Sequence, residues 1–304
     1  MVLWLLTDGF AALAGWQFQC HEMKSQRWEY VSSFVDTRRS AYFEVHKHEE
    51  ENMRLYILPL GACDCDKGRV LTPGSGEGER IVAPIWAALV QVEGLNILFD
   101  TGMHPVHIQD PQATFRGTPH VGLILPVMHE QDRLENRLAE IGLRPEDIHF
   151  VVNTHLHFDH AGSNYLFTNS VILVQRDHYQ QACDTLVSFQ AKYWHLPDLT
   201  YELVEGDLNL APGVQVIKAP GHVKGFQAPV IRLPDSGVIV LAGDAISMEE
   251  NLKADRWDGT WNPTKARASA RRLAAIAQAE GGKLVFGHDP EFWKTLKLSP
   301  QYYS

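Results

Sequence analysis

Cysteine is scarce in this sequence. Four residues, Cys20, Cys63, Cys65 and Cys183, are spread over 304 positions, which is no disulfide framework. Cys63 and Cys65 are separated by one residue rather than two, so the C-x-x-C spacing of thiol redox sites and zinc knuckles is missing. All four are expected to be reduced, mostly buried thiols. Long apolar runs are also lacking, and no membrane span is expected. The opening stretch MVLWLLTDGFAALAGWQF is apolar, but it has no basic flank and Asp8 interrupts it, unlike a secretory signal. A cytoplasmic protein is the expectation. Positive charge is short too: 27 Lys and Arg against 37 Asp and Glu give a formal net charge of −10. Such a surface repels phosphate backbones, and no basic block offsets it, which disfavours nucleic acid as a general partner. Two catalytic signatures are absent as well. There is no G-x-S-x-G nucleophile elbow, and Gly74-Ser75-Gly76-Glu77-Gly78 lacks the Lys of a phosphate loop.

What is present begins near residue 53. Residues 20–52 are polar and without clear periodicity, so residues 1–52 are read as an N-terminal extension, disordered or outside the catalytic domain. Met53 could itself be the start of translation, and the extension is expected to be dispensable. From Met53 the chain alternates strand and helix patterns. Strands are expected over 53–60, 86–92, 96–99, 148–153, 171–175, 214–219, 230–233, 238–242 and 284–286. Helices are expected around Leu134, Leu138 and Ile141, from about Asp177, and after Asn262-Pro263, where Asn caps and Pro opens the helix. The order suits two sheets packed face to face with helices outside.

Chemistry is concentrated in His155-Leu156-His157-Phe158-Asp159-His160, directly after an apolar strand pattern. Histidines two apart point to one side of an extended segment. A helix starting near Asp159 would add that carboxylate and His160 from its first turn. Imidazole and carboxylate are good ligands for zinc, iron or manganese, and four such groups suit two metals better than one. His222, Asp244 and His288 share one setting: each follows an apolar strand and a Gly. Gly lets the backbone turn sharply there. Alone, each would more often be a satisfied structural residue. Together they supply a third ligand for each metal and a carboxylate able to bridge.

These residues, with Leu71-Thr72-Pro73-Gly74, Asp100-Thr101-Gly102-Met103, Thr154 to Gly162, Pro220-Gly221-His222 and Phe286-Gly287-His288-Asp289, resemble the metallo-β-lactamase superfamily. Within it the chain is most similar to the N-acyl-homoserine-lactone lactonases, which quench bacterial quorum sensing. The resemblance covers about residues 53–304 and implies the superfamily's α+β fold, an αβ/βα sandwich of two mixed sheets. It implies that His155, His157 and His222 hold one divalent ion, that Asp159, His160 and His288 hold the other, and that Asp244 bridges them. Zinc is expected before iron, cobalt or manganese. A hydroxide between the ions would attack the lactone carbonyl, Asp159 would shuttle a proton, and Asp100 would orient a ligand histidine from behind. The substrate would be a small lactone, and a homodimer is in keeping with the family.

Ile85, Trp86, Met103 and Phe158 flank motif residues and are candidates for an apolar substrate pocket. Two positions depart from the lactonase pattern. The Tyr that usually lies three residues after the bridging Asp is Ser247 here. Gly225-Phe226 stands where a second His usually follows Pro-Gly-His. Both leave the ligands intact and bear on the substrate. The alternative reading is a hydrolase of another small lactone, ester or thioester on the same fold. Asp244 argues against a true β-lactamase, in which Cys usually replaces it. The large extra domain of the nuclease branches is missing, as is a basic C-terminal segment of the glyoxalase-II type. A metal-binding module without activity is the remaining option, and the complete ligand set argues against it.

Overall fold

The computed structural model describes residues 53–184 and 189–304. The expected N-terminal extension, residues 1–52, and Cys20 lie outside them. Two sheets carry the fold. The larger has seven strands in the order β4-β1-β2-β3-β5-β6-β7, and the smaller has five, β12-β11-β10-β9-β8. In chain order these are β1 (Arg54–Asp66), β2 (Arg80–Val92), β3 (Leu95–Phe99), β4 (Ile124–Val127), β5 (Phe150–Val152), β6 (Val171–Gln175), β7 (Thr200–Val204), β8 (Leu208–Ala211), β9 (Val214–Lys218), β10 (Gln227–Leu233), β11 (Gly237–Gly243) and β12 (Lys283–Phe286). The longer helices are α1 (Leu134–Glu140), α2 (Arg176–Asp184) and α3 (Pro263–Ala279). The larger sheet is mixed. Strands β1 to β4 pair antiparallel, and β3, β5, β6 and β7 run parallel.

Period-two burial builds the layers. Alternate residues of both sheets, among them Leu55, Ile57, Val90, Ile97, Val216, Ile231 and Leu241, meet in one core between the sheets. The opposite face of the larger sheet, with Leu58, Leu89, Leu98 and Ile172, packs against Leu134 and Leu138 of α1. The opposite face of the smaller sheet, with Val230 and Val240, packs against Ala266, Ala270, Leu273 and Ala277 of α3. Both sheets are covered outside by helices, which is the expected αβ/βα sandwich. Asn262 caps α3 by accepting from Lys265 N at 3.0 Å, with Pro263 in the first turn.

The strands that sequence patterning misses are β4, β7 and β8, and all three are sheet edges. An edge strand needs less burial and tolerates Pro126, so its apolar alternation is weak. Strand β1 also runs past its expected end at Leu60. A bulge at Gly61 shifts its register against β2 between Pro59 and Ala62. Before the bulge the even residues Tyr56, Leu58 and Leu60 face α1; after it the odd residue Cys63 does. The extra residue thus switches which side chains reach the site. Cys63 and Cys65 are free and buried, as expected. Cys183, in α2, is half-buried. No described helix is long and apolar enough to cross a membrane.

One contact links α3 to the site. Gly221, just after β9, lies so close to the start of α3 that a Cβ there would sit 2.2 Å from Ala266 Cα and 2.4 Å from Ala266 N. Backbone cannot yield as a flexible side chain can. Gly221→Ala is therefore expected to cost about 1–3 kcal/mol of stability, as overpacking does, read as a lower urea midpoint at unchanged slope.

Candidate metal centre

Strand ends supply every group. β5 leads into the histidine run, β9 into His222, β11 into Asp244 and β12 into His288. The run itself is not a strand, and no helix begins at Asp159, contrary to expectation. Turns close it instead: His160 N and Ala161 N both donate to His157 O, at 3.0 and 2.9 Å. Without a neighbouring strand, its backbone donors are met by side chains at every second residue. Thr154 N donates to Asp100 Oδ1 at 2.7 Å, Leu156 N to His178 Nε2 at 2.8 Å, and Phe158 N to Gln190 Oε1 at 2.6 Å. The odd-numbered His155 and His157 are thereby turned to the opposite side, as their spacing suggests.

Five imidazoles and two carboxylates then gather in two groups. His155, His157, His222 and Asp244 form one, and Asp159, His160 and His288 the other; within each group the donor atoms lie within 4.8 Å of one another. Asp244 divides its carboxylate between them. Oδ2 is 3.2 Å from His222 Nε2 and 3.7 Å from His155 Nε2. Oδ1 is 2.9 Å from His288 Nε2 and 3.4 Å from His160 Nε2. Asp159 Oδ2 stands 3.6 Å from His160 Nε2.

The outer hydrogen bonds fix which ring nitrogen faces inward. Asp100, at a left-handed φ of 62° that a non-glycine residue rarely adopts, accepts from His160 Nδ1 at 2.8 Å and from the Thr154 hydroxyl at 2.7 Å. That hydroxyl has given away its proton, so at its 3.1 Å contact with His155 Nδ1 it accepts. One carboxylate therefore orients a histidine of each group, His160 directly and His155 through Thr154. His288 Nδ1 donates to Pro84 O at 3.0 Å, and Trp86 Nε1 donates to Gly287 O at 2.6 Å. In all three rings Nδ1 is engaged as a donor on the outer side, which leaves Nε2 as the atom facing inward.

The donor set fits two divalent cations. His160 Nε2 and Asp244 Oδ1 are buried with no hydrogen-bond partner among the described residues, a costly state that a cation between them would relieve. Burial, then neighbouring imidazoles, holds the pKa of His155 and His157 well below the ordinary histidine value, so both stay neutral. Burial opposes charge on His160 too, but Asp159, Asp244 and Asp100 outweigh it and hold its pKa well above the ordinary value. The same negative field that favours a proton on Nε2 favours a metal ion there.

A cavity of about 270 Å³ opens on both groups, and His157, Asp159, His222, Asp244 and His288 form its floor. Ile85, Phe158 and Ser247 line it, as the sequence suggests. Trp86 and Met103 do not. Trp86 lies on the opposite face of β2 from Ile85, holding Gly287 and packing on Trp293 with ring centroids 6.4 Å apart. Met103 is buried beneath, its sulfur 3.9 Å from Cys63 Sγ. Sequence reasoning missed Cys63, Cys65, Leu71, Phe115, Phe189 and Gln190 in the wall. Cys63 and Cys65 had a usable signal, two apolar residues at strand spacing. Phe189 and Gln190 had none, being brought in from 31 and 32 residues beyond Phe158.

A family model, Metallo-beta-lactamase superfamily, matches residues 80–288. An N-acyl homoserine lactonase of Bacillus thuringiensis is 38% identical over 252 residues, covering 82% of this chain and 98% of the relative. The N-acyl homoserine lactonase AttM of Azorhizobium caulinodans is 28% identical over 264 residues, 83% of this chain and 99% of that protein. A solved N-acyl homoserine lactone hydrolase, with the product N-hexanoyl-L-homoserine bound at its catalytic metal center, superposes with a TM-score of 0.77 at 36% identity, over 82% of this chain and 98% of its own. The chain belongs to the metallo-β-lactamase superfamily and, within it, to the N-acyl homoserine lactonase family.

Asp100→Asn keeps the shape but loses an acceptor needed for the Thr154 hydroxyl and His160. Metal affinity is expected to fall about 10–100-fold, read by competition with a chelating dye, with the far-ultraviolet circular dichroism unchanged.

Proposed function

We propose that this chain is a two-metal hydrolase that opens the lactone ring of N-acyl homoserine lactones. The observation that carries the reading is the Asp244 carboxylate, divided between two groups of imidazoles on the floor of an apolar cavity. Residues 53–304 would be the hydrolase domain. His155, His157 and His222 would hold one ion, Asp159, His160 and His288 the other, with Asp244 common to both. We assign zinc, which takes imidazole and carboxylate donors readily and is the metal of a solved dizinc quorum-quenching lactonase with this fold; iron, cobalt and manganese would accept the same donors. Two such ions, when bound, supply Lewis acidity that lowers the pKa of a water and polarises an ester carbonyl.

The chain's own residues do the rest. Asp100, Pro84 O and Thr154 keep Nε2 of three imidazoles turned inward. Asp159 lines the cavity and reaches the second group, so its carboxylate can pass a proton to the departing ring oxygen. Ile85, Leu71, Phe115, Phe158 and Phe189 give the cavity an apolar wall, which suits an acyl chain. Each buried CH₂ would add up to about 0.8 kcal/mol of binding.

Turnover of acyl homoserine lactones well above thioesters and phosphodiesters, followed by acid release in a pH-stat, would support the reading; preference for a thioester would replace it. Asp244→Ala is expected to lose metal from both groups by elemental analysis and to retain under about one tenth of the rate, a barrier increase above roughly 1.4 kcal/mol. Ser247 lines the cavity, and its backbone oxygen already accepts from His288 N at 2.7 Å. Its short side chain cannot reach where a Tyr hydroxyl would. Ser247→Ala is expected to lower kcat/KM less than about tenfold, against the 10²–10³ typical of a lost oxyanion donor.

A further inference from the structure

Gln190 is a buried polar side chain of the cavity wall that lies outside the metal-facing groups, and only its oxygen is engaged with the histidine run. Its burial leaves it 6% exposed. Its two ends are not equivalent. The carboxamide oxygen accepts from Phe158 N at 2.6 Å, and since an N–H can only donate, this contact decides the orientation of the amide. The NH₂ end therefore points away from the histidine run. Among the described residues that nitrogen has no hydrogen-bond partner, yet it is not sealed in protein like the orphaned atoms of the metal centre. Gln190 lines the cavity beside Phe158 and Asp159.

A donor held in this way is matched to an acceptor on the ligand. The wall around it is largely apolar, with Phe115, Phe158 and Phe189 nearby in the lining. The Cys63 thiol stays protonated, because burial pushes its pKa up, and thiols are weak hydrogen-bond donors. A carbonyl entering this wall leaves its water behind and needs a replacement donor. An N-acyl homoserine lactone brings two carbonyls. The ester carbonyl belongs at the metal centre, and the amide carbonyl, on the acyl side of the ring, belongs further along the wall.

We propose that Gln190 is a specificity-determining residue whose side-chain NH₂ donates to the amide carbonyl of the substrate's acyl arm. This rests on the lactonase reading and adds to it a reason for selecting an amide-bearing lactone over a plain one. The bond to Phe158 N pre-orients the carboxamide, so little side-chain freedom is lost when substrate binds.

The test is Gln190→Glu, which keeps an oxygen for Phe158 N and replaces the donor with an acceptor, alongside Gln190→Met, which is uncharged and has neither. Both are compared with the metal-loaded wild type on N-hexanoyl-homoserine lactone and on an amide-free γ-lactone of similar chain length. The second is read as turnover or, if it binds without turnover, as competitive inhibition. Both variants should lose about tenfold or more in kcat/KM on the amide-bearing lactone, the order expected for one hydrogen bond whose partner is left buried and unmet. For Gln190→Glu, which keeps the bond to Phe158 N, kcat/KM or the inhibition constant for the amide-free lactone should stay within about threefold of wild type; Gln190→Met, which gives up that bond, should lose more on the amide-bearing lactone than on the amide-free one. Equal losses on both lactones would reduce Gln190 to a support for Phe158 and overturn the proposal, and so would unchanged activity on the amide-bearing one. A wild type that opens no lactone but cleaves another ester or thioester would instead overturn the lactonase reading, and this inference with it.

Discussion

The site depends on one carboxylate that lies behind it. Asp100 accepts from His160 Nδ1, from Thr154 N and from the Thr154 hydroxyl, which in turn accepts from His155 Nδ1. It thereby sets the tautomer of one imidazole in each group and anchors the backbone from which the histidine run departs. The left-handed conformation at Asp100 is strain of the kind that persists where surrounding contacts over-determine it. Thr101 N and Gly162 N close the two loops on each other through His160 O and Gly102 O, at 2.7 and 2.8 Å. The loop after β3 and the run after β5 thus form one rigid unit, and the parallel pairing of those two strands places it.

Against that unit the smaller sheet brings Asp244 and His288 from neighbouring parallel strands, β11 and β12, and His222 from β9. The metal-facing groups straddle the seam between the sheets, where no single element could supply them. Electrostatics and sterics agree there. Burial keeps His155 and His157 neutral, while the carboxylates concentrate negative potential on His160 and His288. Gly221 and Gly287 allow backbone to approach closer than a side chain permits, 2.2 Å to Ala266 Cα and 2.7 Å to Gly243 C for a Cβ placed there.

Much of this was legible in the sequence because strand periodicity and ligand chemistry are local. Central strands announced themselves by β-branched runs, and the Gly before His222, Asp244 and His288 marked the strand ends. The edge strands β4, β7 and β8 were not legible, since an edge buries one side weakly. The wall of the cavity was legible only in part. Ile85 and Phe158 were found beside motifs, but proximity in sequence misplaced Trp86, which alternation on β2 turns to the other face. His178 and Gln190 support the histidine run at Leu156 and Phe158 from positions 22 and 32 residues away, and no local pattern encodes such a contact. The bulge at Gly61, which changes the parity of β1 and brings Cys63 to the site side, is likewise a property of pairing rather than of sequence period.

On this account Asp100 behind and Asp244 in front would define two cation positions, one per group. Anomalous scattering from crystals of the metal-loaded protein, collected at the absorption edge of the bound metal, tests it directly. Two peaks are expected about 3.5–4 Å apart, one within reach of His155, His157 and His222, the other within reach of Asp159, His160 and His288, with Asp244 touching both. A single peak at full activity, or two peaks with Asp244 touching neither, would contradict it.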